Sequence, residues 1–199
     1  MGEGIKNAVV LYTRDRRPAM PFLLNLILFQ LCWIAAVAGA GQGYWWAGPV
    51  AVLVFLAVTL KTSRWPRADM ELAGIAAVLG FVIDSAYVNF GLLQFAAPVP
   101  TPHVAPIWIV AMWVSFALTL NHSLSFLKRK HWLSLIFGLV GGPLAYYVAA
   151  QKFAAAQLTA APLTVYLTLA IAWGLATPIL MGLAARRVPL VQSPLAVAR

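Results

Sequence analysis

Charge is what this sequence has least of. Only 10% of its 199 residues are Asp, Glu, Lys or Arg, against about 25% in a soluble domain. That shortage excludes an ordinary water-facing surface over most of the chain. Cysteine is nearly absent: Cys32 stands alone, so neither an intramolecular disulfide nor a cysteine-based zinc site can form. Its expected role is that of a small buried hydrophobe. Histidine is limited to His103, His122 and His131, too few for the two-metal sites of membrane desaturases and hydroxylases. His103 and His122 fall near opposite ends of one expected helix and cannot bracket a single haem. There is no mid-membrane lysine for a retinal Schiff base, no glycine-rich phosphate loop with its lysine, and no pair of Asp-rich motifs for prenyl transfer. Ser123 and Ser125, beside His122, lack a nucleophile-elbow context. No cofactor and no metal are expected.

What is present is apolar. Hydrophobic residues make up 62% of the chain and its mean hydropathy is +0.85. Its apolar runs approach the ~20 residues needed to cross a bilayer. Six segments read as transmembrane helices, at residues 20–39, 44–60, 70–93, 107–127, 132–150 and 162–184. The expected fold is an all-α integral membrane bundle of six helices forming one domain over residues 1–199. Residues 1–19 and 185–199 are left as cytoplasmic segments.

The basic residues orient the bundle. Lys6, Arg14, Arg16, Arg17, Lys61, Arg64, Arg67, Lys128, Arg129, Lys130, Arg186, Arg187 and Arg199 fall on one side, which is 13 of the 14 Lys and Arg; only Lys152 falls on the other. By the positive-inside rule both termini are cytoplasmic. The net charge of +9 is spread in short clusters between apolar runs, which points to membrane orientation and anionic lipids at the basic loops, not to nucleic acid. Arg16-Arg17, an apolar run and Ala38-Gly39-Ala40 have the order of a signal peptide. That run is about 19 residues long and interrupted by Asn25 and Gln30, beyond the usual 7–15, so it is read as a retained span. Ile5, Ala8, Val9 and Tyr12 have the spacing of a helix lying on the cytoplasmic leaflet. The loop 94–106 carries Pro98, Pro100, Pro102 and Pro106 and is expected to be stiff and non-helical. Tyr44, Trp45, Trp46 and Trp108 fit an outer aromatic belt, and Trp65 and Trp132 an inner one.

Asp84 is the one acid placed in the middle of an apolar stretch. An ionisable group there is costly and is a functional candidate by default. Gly74, Ala77, Gly80, Asp84 and Gly91 recur at helical spacing, a face suited to close helix packing. Gly138 and Gly142 predict a tight crossing, and Pro143 and Pro178 predict bends. A rise of 1.5 Å per residue puts Asp84 ~21 Å from the inner boundary and His122 only ~8 Å from it, too far apart for a salt bridge. Trp33, Trp113 and Tyr146 share the level of Asp84, with Gln30 and Ser115 somewhat shallower, and these form the candidate substrate site. Asn25, Asn121, His122 and Thr177 form a second polar layer ~8–10 Å deep, with Ser115, Thr119 and His122 on one helix face.

Several strings carry a resemblance. Residues 25–33 read NLILFQLCW, with the pattern N-x4-Q-x2-W, and residues 80–84 read GFVID. Residues 106–121 contain PIW, W-x-x-F and TLN, and residues 141–147 read GGPLAYY. In this order the chain resembles, over nearly its whole length, a family of small proteobacterial inner-membrane proteins of unknown function. The family's last string continues with a further glycine pair, from which Val148, Ala149, Ala150, Gln151 and Lys152 depart. The resemblance implies a multi-pass protein of the bacterial inner membrane and carries no activity. The first expectation is a small or lipid-like substrate bound or moved in a polar cavity around Asp84. Alternatives are an accessory subunit docking in a homo- or hetero-oligomer, or a lipid-modifying enzyme using Asp84 or His122, which the missing metal ligands disfavour.

Overall fold

The computed structural model describes residues 20–188. Six α-helices are α1 (Phe22–Gly41), α2 (Ala47–Thr62), α3 (Pro66–Asn89), α4 (Ile107–Ala117), α5 (His131–Phe153) and α6 (Pro162–Arg187). A 3-10 turn covers Ser125–Arg129, and two short strands, β1 (Leu93–Phe95) and β2 (Ala156–Leu158), pair antiparallel. The fold is helical, and α1, α3, α5 and α6 are long and apolar enough to cross a membrane. The amphipathic N-terminal stretch and the tail beyond Val188 lie outside the described residues.

Two of the expected spans fall short of the ~20 residues of a full crossing. α2 has 16 residues and α4 only 11, or about 24 and 17 Å of helix. The expected helix 107–127 stops at Ala117 and gives way to turns. The physical reason lies in residues 119–125, where Thr119, Asn121, His122, Ser123 and Ser125 crowd together. Short polar side chains compete with the helix for its own backbone groups; Thr119 Oγ1, for instance, bonds the Phe116 carbonyl at 2.6 Å. Thr119 and His122 therefore share no helix face with Ser115. α5 and α6, in contrast, run unbroken through Pro143 and Pro178.

Glycines set how closely the helices approach. A Cβ on Gly138 would come within 2.1 Å of the Trp173 carbonyl oxygen, and one on Gly142 within 2.3 Å of the Trp173 ring. α5 thus lies directly against α6. Gly48 admits Ala36 of α1 in the same way, at 2.7 Å. Small residues permit such contact where no hydrophobic drive separates helix from lipid. The predicted small-residue face of α3 is only half used. Gly80 and Asp84 are buried, with Leu72, Ala73, Ala76 and Tyr87 completing the stripe, but a Cβ on Gly74 would meet nothing within 4 Å and Gly91 lies beyond the helix, which ends at Asn89.

The turns gather at two ends. At one, Arg187 Nε meets Glu71 Oε2 at 2.7 Å and Lys128 reaches toward the first turn of α3. That end holds Lys61, Arg64, Arg67, Lys128, Arg129, Lys130, Arg186 and Arg187. At the other, the ribbon pairs Leu93 with Leu158, Gln94 with Gln157 and Phe95 with Ala156, and Gly41 packs under the Phe153 carbonyl. The proline-rich loop there is non-helical, as expected, and is anchored by Ala105 N–H to Ser85 Oγ at 2.9 Å. Tyr44, Trp45, Trp46 and Trp132 are exposed. Trp108 is not a belt residue: it is buried and donates its indole N–H to the Ala96 carbonyl at 3.0 Å.

Candidate functional site

Asp84 lies on the buried stripe of α3 with no solvent exposure. Gly80, one turn earlier, leaves room for Trp113 of α4, whose ring would stand 2.1 Å from any Cβ there. Trp113 Nε1 donates to Asp84 Oδ2 at 2.7 Å, and the Tyr146 hydroxyl of α5 donates to Oδ1. Each carboxyl oxygen therefore has one donor, and both donors are neutral. Trp173 of α6 stacks on Trp113, with centroids 4.2 Å apart and an interplanar angle of 15°. Tyr146 also forms one wall of a narrow crevice otherwise lined by apolar groups, among them Val37, Phe95, Trp108, Ile109 and Met112. The crevice encloses about 10 Å³, room for no more than one water molecule. Four helices thus meet at one carboxyl group through aromatic side chains.

A second polar centre lies at the basic end. Asp69, in the first turn of α3, is fully buried. It accepts from Ser63 Oγ at 2.5 Å and Asn121 Nδ2 at 2.7 Å, and His122 Nε2 lies 3.2 Å from Oδ2. Asn121 Oδ1 in turn accepts from Lys128 Nζ at 2.5 Å. Burial pushes the Lys128 ammonium down to about 8, with the Asp69 charge opposing. Beside this node, Asn25 of α1 serves the break after α4. Its Nδ2 donates to the Leu118 carbonyl at 3.0 Å, and its Oδ1 accepts from Ser123 Oγ at 2.5 Å and Ser123 N–H at 3.2 Å.

The predicted residues divide accordingly. Trp113 and Tyr146 hold Asp84 as their shared depth suggested. Trp33 packs edge-on against Phe153, Gln30 is exposed on the outer side of α1, and Ser115 bonds the Met112 carbonyl of its own helix at 2.8 Å. Depth fixes one coordinate of a helical residue; these three point elsewhere around the axis. Asn25, Asn121 and His122 do form a buried polar layer. Thr177 is buried apart from them, and its Oγ1 has no hydrogen-bond partner among the described residues. Asp84 and His122 keep separate partners, so the absence of a dyad stands.

Asp69 and Lys128 were not among the expected site residues. The apolar pattern begins this span at residue 70, one residue beyond Asp69, which sits between Arg67 and Glu71, and makes Asp84 its one interior acid. The helix begins at Pro66, and the turns after α4 fold over Asp69 and exclude water from it. A sequence signal did exist in the polar cluster 119–125, which needs a buried partner if it lies at membrane depth.

No curated protein and no solved structure matches the chain. One family profile does, over residues 22–179, a stretch that includes Asn25, Asp69, Asp84, Trp113, Asn121 and Tyr146. The chain belongs to this family, described as protein of unknown function DUF2878.

Proposed function

We propose that this is a six-span protein of the bacterial inner membrane, with both termini cytoplasmic, that binds a small or lipid-like substrate beside Asp84. The observation that carries this reading is the joint position of Tyr146. Its ring stands in the wall of the crevice, whose surface is wholly apolar, while its hydroxyl is turned to Asp84. A mostly apolar molecule with one polar end suits such a site once it opens: the crevice takes the chain, and the Tyr146–Asp84 pair turns to take the head. At about 10 Å³ the crevice is closed to such a molecule. Entry requires the β1–β2 ribbon, which contributes Phe95 and Ala156 to the wall, to move aside. A carboxyl group bonded to neutral donors is also suited to carrying a proton with the substrate.

The tight enclosure of Asp84 favours a second reading, an accessory subunit in which the carboxyl fastens the bundle. Native mass spectrometry of the purified protein separates the two. Under the substrate reading a co-purified molecule is present in wild type and lost in Asp84→Asn. Unchanged ligand content together with lower stability sinks that reading and leaves the fastening role.

A further inference from the structure

We propose that the open groove between the start of α3 and the end of α6 binds a phosphate group at the basic end of the molecule. The groove has a volume of about 520 Å³ and is lined chiefly by Arg64, Trp65, Arg67, Glu71 and Arg187. Three arginines and one glutamate line it, so the groove carries a net positive charge. Guanidinium is the side chain best matched to phosphate oxygens, through paired N–H donors.

The single acid engages one of the arginines and competes with a phosphate for it. Glu71 is exposed and holds Arg187 Nε at 2.7 Å, which fixes that guanidinium on the rim. An exposed pair of this kind contributes little energy of its own, so a phosphate oxygen competes readily for the remaining donors. The same chemistry fits a phospholipid headgroup and a free phosphate ion. The site is remote from Asp84 and stands whether or not a substrate binds there.

The test uses the full chain in nanodiscs of phosphatidylcholine with a minor share of phosphatidylglycerol, and counts retained lipid by native mass spectrometry. Wild type is expected to retain phosphatidylglycerol selectively. Arg67→Gln should retain about fivefold less, the factor one basic side chain contributes at an anionic surface. Glu71→Gln should retain at least as much as wild type, and Arg129→Gln, outside the groove, should match it. Displacement by millimolar inorganic phosphate identifies a free-ion site; retention in its presence identifies a headgroup site. Wild-type retention in both Arg67→Gln and Arg187→Gln, or an equal loss in Arg129→Gln, overturns the proposal. Circular dichroism confirms that each variant is folded, and Arg67, exposed on the first turn of α3, carries the result if Arg187→Gln is not.

Discussion

Asp84 and Asp69 are both removed from solvent, yet their surroundings differ in kind. Asp84 has two neutral donors set by aromatic packing, whereas Asp69 gathers a hydroxyl, an amide and an imidazole, with an ammonium one residue beyond. Asp84 was legible in the sequence because it stands alone in an apolar run. Asp69 was hidden by neighbouring charges, since only the tertiary fold removes it from water. The donors of Asp84 depend on the missing side chain at Gly80. Gly80→Ala would place a methyl group 2.1 Å from the Trp113 ring, and overpacking of this kind costs about 1–3 kcal/mol. The expected result is a lower thermal midpoint in detergent together with changed tryptophan fluorescence; an unaltered midpoint would show that Trp113 is free to retreat. Lys128 gives a pH signature. Its pKa is about 8 when folded against an ordinary 10.5, so the unfolded chain binds more protons between those values. Stability therefore rises as pH increases from about 8 toward 10.5, and Lys128→Met should flatten that rise in a thermal series.

Among the elements, α4 departs most from its sequence pattern. Apolar content alone extends a helix to residue 127, and periodicity says nothing against it. The chain stops helping itself at Ala117, and a side chain from another helix takes over. Asn25 accepts from the Ser123 N–H and donates to the Leu118 carbonyl, two backbone groups within the break. Under the proposed six-span topology the break lies at membrane depth, where non-helical backbone is tolerated only if protein satisfies it in this way. Asn25→Leu leaves both groups unpaired, at about 1–3 kcal/mol each. We expect a total loss of about 2–6 kcal/mol and faster hydrogen exchange confined to residues 118–124. Wild-type stability in this variant would mean that the break is held by the Asp69 node and not by Asn25. The ribbon was equally hidden: Leu93 and Ala156 lie far apart in sequence, and three-residue strands carry no pattern of their own.

At the scale of the whole molecule the open question is how six helices of unequal length sit in one bilayer. If only the four long helices crossed, the start of α3 and the end of α6 would face opposite sides. The Glu71–Arg187 contact at 2.7 Å puts them at the same end of the bundle. Four spans would also leave Lys61, Arg64, Arg67 and Lys152 outside, four of the 14 basic residues, where six leave only Lys152. Both considerations support six crossings, with α2 about 6 Å short of a ~30 Å hydrocarbon core and the fourth completed by turns enclosed in protein. Local thinning accommodates such a shortfall at modest cost. Cysteine labelling decides it, because the two topologies exchange the loops at both ends of α3. In a Cys32→Ala background, His103→Cys should react with an impermeant maleimide in intact cells. Lys61→Cys should react only after the membrane is opened. The reverse pattern would mean that α2 and α4 do not cross, and neither the Glu71–Arg187 contact nor the arginine groove could then form across the two sides.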